Sequence, residues 1–225
     1  MWAGPNECYN PQDARCTQCP DIELKIGACP ALADNEFDRV IGHLTAWGMY
    51  LCYLIPVVAV GLRRTTWLYW SLAPLLASGV AGYLQSTLIS IRPAGCCMAG
   101  EQSCGMPSGH CTTAYATLVF ALLICHRQGL DGVPWWKLMV GAVFLTIQLL
   151  MAYGRVAIYY HTVDQVVWGI VAGAAVALVW FVLVLVGIGP RLGPWLERKL
   201  ACIGLKDDWN DQVGKEADED FEGLP

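Results

Sequence analysis

From Leu44 onward the chain is written in long apolar runs separated by short polar stretches. Between Trp67 and Ile91 no side chain other than a tyrosine can ionise, and the run from Val166 to Pro190 carries no charge at all. Each exceeds the roughly 18–20 apolar residues that carry a helix across hydrocarbon, and neither keeps the polar stripe of a soluble surface helix. The pattern predicts about five helical spans, near 44–62, 67–91, 111–126, 135–153 and 165–189. The expected fold class is all-α, a multi-pass transmembrane helical bundle. Gly169 and Gly173 are spaced for close packing of one apolar helix on another. Trp67, Trp70, Trp135 and Trp136 stand where an interfacial aromatic belt would lie.

Composition agrees with this reading. Of 225 residues 56% are apolar and 15% charged, with mean hydropathy +0.44, against about 25% charge in an average soluble chain. The charges divide the chain into three parts: a cysteine-rich extramembrane segment over 1–42, the bundle over 43–190 and an acidic tail over 191–225. Arg63, Arg64, His126, Arg127, Lys137, Arg191, Arg198 and Lys199 flank the spans so that an odd number of crossings gathers them on one side, which basic residues make the cytosolic one. The opposite side receives the N-terminal segment and the loops 91–110 and 154–164, with seven of the eleven cysteines: Cys8, Cys16, Cys19, Cys29, Cys96, Cys97 and Cys104. These suit disulfides in an oxidising compartment. Cys16 and Cys19 form a C-x-x-C without the second pair that a zinc site needs, so no metal site is expected. The first 40 residues show neither a secretory signal nor a transit peptide. A net charge of -5 and a tail read as solvated from Asp207 to Glu222 speak against nucleic acid as a partner.

Three polar stretches fall on the side away from the basic residues. Arg92-Pro93 ends the second span, Pro107-Ser108-Gly109-His110 opens the third, and Arg155 to Gln165 joins the fourth to the fifth. Pro-Ser-Gly before a helix is ordinary capping chemistry, and it is also what an anion-binding helix N-terminus needs: free N–H groups, a hydroxyl and a residue without a side chain. Arg92 and Arg155 lie on the side that basic residues avoid, and arginine matches phosphate oxygens bidentately. His110 and His161 can divide a phosphoryl transfer, one attacking phosphorus and the other protonating the leaving oxygen. A nucleophilic histidine needs its far nitrogen held by an acceptor. Asp164 and Gln165, three and four positions after His161, are the candidates; Asp164 serves equally as a first-turn charge that complements the helix dipole.

In order and spacing these stretches resemble the tripartite signature of the type-2 phosphatidic acid phosphatase (PAP2) superfamily: Lys-x6-Arg-Pro, then Pro-Ser-Gly-His, then Ser-Arg-x5-His-x3-Asp. Within it, Gly-Met-Pro-Ser-Gly-His and Tyr160-His161-Thr162-x-x-Gln165-Val166 look most like dolichyl diphosphatases, a branch that also has glutamine where others have aspartate. The resemblance implies an all-helical bundle that removes phosphate from a lipid phosphate or diphosphate without a metal or other cofactor. It implies His161 as nucleophile, His110 as general acid, and Arg92, Ser108, Gly109 and Arg155 as the phosphate cradle. Two positions depart from the signature: Gln85 stands where the lysine is expected and Gly154 where the serine is expected. One span fewer is present than the family often has.

Three classes of function follow. The first is a membrane lipid phosphatase, with a polyprenyl or dolichyl diphosphate favoured as substrate. The alternative is a catalytically weak or inactive PAP2-like subunit of a larger membrane complex, motivated by Gln85, Gly154, the cysteine-rich segment and the acidic tail. A transporter reusing the fold is a third class, against which stands the lack of an inverted repeat. Resemblance and cysteine placement favour the endoplasmic reticulum with the motif face lumenal, over a mitochondrial or other organelle membrane.

Overall fold

The computed structural model describes residues 35–88, 105–128, 135–158 and 160–209. Arg92 and Pro93, most of the cysteine-rich segment and the tail from residue 210 onward lie outside the described residues. Five long helices follow one another: α1 Glu36–Leu62, α2 Thr65–Thr87, α3 Gly109–Gln128, α4 Trp135–Ala157 and α5 Val163–Leu183. A π-helical turn, Val184–Ile188, then leads into α6, Gly189–Lys199. No β-strand forms among the described residues; a lone bridge pairs Arg64 with Lys206. Four of the predicted spans begin or end within a few residues of helices α1, α3, α4 and α5; the second, 67–91, overlaps α2, and its residues 89–91 lie outside the described residues.

Local chemistry sets several helix ends. Asn35 opens α1 by accepting from the Asp38 N–H at 2.9 Å, while its own amide donates to the Asp38 carboxylate at 2.7 Å. Arg63 ends α1 with a left-handed backbone, φ 56°, which lets the chain reverse at once into α2. Thr162 and Gln165 form a reciprocal capping box at the start of α5. The π-turn precedes Pro190, whose ring has no N–H to donate and crowds the carbonyl four residues back, so a wider turn accommodates it.

The packing is small inside and large outside. On α2, Ala73, Ala77 and Ala81 are buried while Leu72, Leu75, Leu76 and Val80 are exposed. On α5, Gly169, Gly173 and Ala177 are buried while Val167, Val171, Leu178 and Val182 are exposed. Water would favour the reverse; lipid does not, and small residues let helix backbones approach. At Gly173 an added Cβ would overlap the Thr112 carbonyl of α3, so the glycine pair expected to pack helices does so. The central helix α3 lies against α5, α2, α4 and α1. Phe120, Phe181, Tyr69 and Trp209 fill the core at the end of the bundle bearing Arg63 and Arg127.

Among the described residues, two helical stretches are long and apolar enough to cross a membrane: Gly109–Arg127 and the continuous Val163–Lys199. Gly141–Ala157 is apolar but shorter. One expectation changes outright. The sequence pattern predicts a solvated run from Asp207, yet Asp207 and Trp209 are buried and Asp208 is largely so. Their acceptors match donors that sequence separation hid: Thr65 donates through Oγ1 to Asp207 at 3.0 Å, and the Thr66 N–H donates to Asp208 at 3.0 Å.

Candidate phosphate site

The motif residues that are described gather at the end of the bundle opposite Arg63 and Arg127. Gln165 organises them, and it does so with both halves of the residue. Its side-chain oxygen accepts from the Thr162 N–H at 3.1 Å and lies 3.1 Å from His161 Nδ1. The Thr162 N–H identifies that amide atom as the oxygen, an acceptor without protons. His161 Nδ1 must therefore carry a hydrogen, and in the neutral imidazole the lone pair is then on Nε2. Gln165's backbone carbonyl meanwhile accepts from the Ser108 N–H at 2.9 Å. One residue thus holds the imidazole and ties the start of α3 to α5.

The two acceptor candidates after His161 are separated by their places in the first turn. Gln165 is buried and turned to the imidazole; Asp164 is exposed and holds no hydrogen bond to it. Of the two places open to Asp164, the first turn of α5 is where its charge lies, and there it complements the dipole. A side chain at the third position of a helix reaches back over the cap, whereas its predecessor is rotated by about 100°.

Ser108 occupies the cap of α3. Its carbonyl accepts from the N–H and the hydroxyl of Thr112, both at 2.9 Å. Its hydroxyl is fully buried and meets no nitrogen or oxygen partner among the described residues, the Cys111 thiol being its polar neighbour. Such a group in a native fold calls for a polar ligand or water. Gly109 and His110 form the first turn of α3, both half-buried. Against this turn Gly169 of α5 packs so closely that a Cβ there would stand 2.8 Å from the Ser108 carbonyl. Any larger residue at 169 would push the Pro-Ser-Gly turn away from His161.

Arg155 is completely buried at the end of α4. Its backbone carbonyl accepts from the N–H groups of Tyr160 and His161, each at 3.1 Å, so the arginine also shapes the turn that presents the histidine. Its guanidinium lies 5.6 Å from the centre of the Tyr160 ring, and Nη2 donates to the Gly42 carbonyl at 3.0 Å. Gly42 belongs to α1, a helix for which the sequence offered no site role.

Both departures from the signature have a structural setting. Gln85, on the last turn of α2, donates through Nε2 to the Pro107 carbonyl at 2.7 Å. That nitrogen lies 3.3 Å from where a Cβ on Gly109 would be, so an amide stands beside the Pro-Ser-Gly turn and braces it. Gly154 faces Thr45 of α1, and a Cβ at 154 would overlap the Thr45 hydroxyl. Among the described residues no three His, Cys, Asp or Glu side chains are placed to share a metal ion.

Buried donors at a helix N-terminus beside an oriented imidazole form an arrangement suited to an anionic group and to attack on it. Residues 86–186 match the PAP2 superfamily model, and this stretch of the chain is a PAP2 superfamily domain. Dolichyldiphosphatase 1 of Mus musculus is 31% identical over 102 residues, which cover 40% of this chain and 42% of that protein. Glucose-6-phosphatase 3 of Mus musculus is 30% identical over 129 residues, 56% of this chain and 33% of that protein. The chain thus spans less than half the length of either curated relative. A PAP2-type phosphatidylglycerolphosphate phosphatase from Bacillus subtilis aligns with a TM-score of 0.49 at 23% identity, over 72% of this chain and 84% of that one.

Proposed function

We propose that this protein is an integral membrane phosphatase of about five spans that hydrolyses a lipid phosphate or diphosphate, a polyprenyl or dolichyl diphosphate being favoured. The observation that carries the reading is the double grip of Gln165, whose amide oxygen orients His161 and whose carbonyl holds Ser108. In the first step the Nε2 lone pair of His161 attacks phosphorus, and the bond from phosphorus to the leaving oxygen breaks as His110 protonates that oxygen. In the second, water attacks the phosphohistidine and gives its proton to His110. Phosphate leaves and His161 Nε2 is regenerated. Arg155 and Arg92, the Ser108 hydroxyl and the Gly109 N–H hold the nonbridging oxygens as charge builds on them. Asp164 is outside this machinery, and Gln85 braces the turn. The motif end would face the lumen of the endoplasmic reticulum, as the basic residues at the other end favour the cytosol.

The test is phosphate release, without added metal, from short-chain dolichyl diphosphate, phosphatidic acid and glucose 6-phosphate, by wild type and His161→Ala. Release that vanishes in the variant, with label trapped on wild-type protein as an acid-labile, base-stable adduct, supports the reading. Folded wild type that is silent on every substrate overturns it and favours the alternative of a non-catalytic subunit of a membrane complex.

A further inference from the structure

We infer that Thr45 on α1 supplies the hydroxyl that Gly154 lacks and serves as the positioning residue for Arg155. This rests on the reading of Arg155 as a phosphate donor. Thr45 is buried, and its Oγ1 lies 3.4 Å from Arg155 Nη2. The hydroxyl proton is directed elsewhere: Oγ1 donates to the Ile41 carbonyl at 2.8 Å and approaches the Gly42 carbonyl at 3.2 Å. Its lone pairs are therefore turned to the guanidinium. Gly42 offers the same nitrogen a carbonyl at 3.0 Å. Two neutral oxygens of one helical turn thus fix one corner of the guanidinium, and in a rigid planar fork the place of one nitrogen sets the direction of the others.

Space explains why the hydroxyl comes from α1. A side chain at 154 would occupy the volume that Thr45 Oγ1 and Cγ2 already fill. A serine at 154 therefore cannot enter unless the Thr45 side chain moves, and with glycine there the oxygen beside the Arg155 guanidinium is the threonine's. Gly42 completes the seam, since a Cβ there would overlap Ile158 of α4. The helix α1 lies wholly outside the matched stretch 86–186, so this part of the site belongs to the segment that the family pattern does not describe.

Four variants of the full chain in mild detergent test this: Thr45→Val, Thr45→Ser, Gly154→Ser, and Thr45→Ala combined with Gly154→Ser. The readouts are the Kd for orthovanadate by calorimetry, KM and kcat for phosphate release, and Tm. Thr45→Val keeps volume but removes the hydroxyl; it should weaken vanadate binding about tenfold, the scale of one hydrogen bond to a charged group. Thr45→Ser should stay within about twofold of wild type by the same argument. Gly154→Ser alone should bind vanadate worst and melt lowest, and the double variant should recover much of both. Thr45→Val binding vanadate like wild type, or a double variant no better than Gly154→Ser, overturns the proposal. Wild type that binds vanadate without releasing phosphate removes the phosphatase reading and leaves Thr45 decided by Kd alone. Wild type that does neither overturns both.

Discussion

The two ends of the bundle use polar groups in different ways. At the motif end short-range contacts shape the histidine turn, His161 with Gln165 and Tyr160 and His161 with the Arg155 carbonyl, while Ser108 to Gln165 and Arg155 to Gly42 tie it to other helices. At the other end, residues 63–66 meet residues 206–209. Lys206 donates its N–H to the Arg63 carbonyl at 2.8 Å, and the Thr65 N–H donates to the Lys206 carbonyl at 3.1 Å. Trp209 is then inserted beneath Tyr69 and Phe181, with the Arg127 guanidinium 4.2 Å from its ring. One end presents a buried hydroxyl and an oriented imidazole; the other closes with an aromatic plug. On the proposed function the first end receives a ligand and the second holds the chain together, and substitutions should separate them in the same way.

The largest effect belongs to the motif end. His161→Ala should lower phosphate release by about 10⁴-fold or more, the scale on which loss of a nucleophile acts. Its Tm should change little, because the Gln165 oxygen keeps the Thr162 N–H as a donor. Next in size is Trp209→Ala at the opposite end. Removing a buried indole should cost about 3–5 kcal/mol of stability, read as a lowered midpoint in thermal or denaturant unfolding. At a temperature where the variant is folded, KM and kcat should match wild type. A loss of activity in step with the loss of stability would show that the two ends are not separable.

Gln165→Leu comes third and touches both functions of one residue. Without the acceptor, His161 is no longer held as the Nδ1–H tautomer, and kcat should fall by about 10–100-fold, the scale on which loss of a histidine's orienting partner acts. The capping box is lost as well, at about 1 kcal/mol. Gln165→Glu keeps an acceptor at the same place and should retain more activity than Gln165→Leu at equal stability. Equal losses in the two would mean that Gln165 acts by packing alone.

The chain's own pattern made the helices and the local motif visible, because both depend on neighbours. Apolar runs reveal helices, Gly169 and Gly173 reveal a packing seam, and a histidine four residues before a glutamine at a helix start leaves few geometries. What it concealed depends on distant partners. Asp207 and Asp208 look like the start of a solvated tail until Thr65 and the Thr66 N–H are placed beside them, about 142 positions earlier. Gly154 looks like a lost hydroxyl until Thr45 is seen filling its space. A signal was present in each case: a tryptophan, Trp209, within an acidic run is costly to leave in water, and a glycine in a helix interior often marks the close approach of another element.

The smallest predicted effect tests whether the acids at the basic end cap a helix or only balance charge. Asp208 accepts from the Thr66 N–H at 3.0 Å, in the first turn of α2, and its other oxygen lies 3.8 Å from Arg64. Arg64 is well exposed, and an ion pair of that kind contributes little. The cap contributes more, because α2 otherwise begins without a side-chain acceptor. Asp208→Asn keeps an oxygen for the N–H and removes the charge, so it should cost a few tenths of a kcal/mol. Asp208→Ala removes both and should cost about 1 kcal/mol. High salt should leave the Asp208→Ala loss nearly unchanged, since a hydrogen-bonded cap is screened far less than an exposed pair. If the two variants lose the same amount and salt erases the difference from wild type, charge balance is the cause and the cap is incidental.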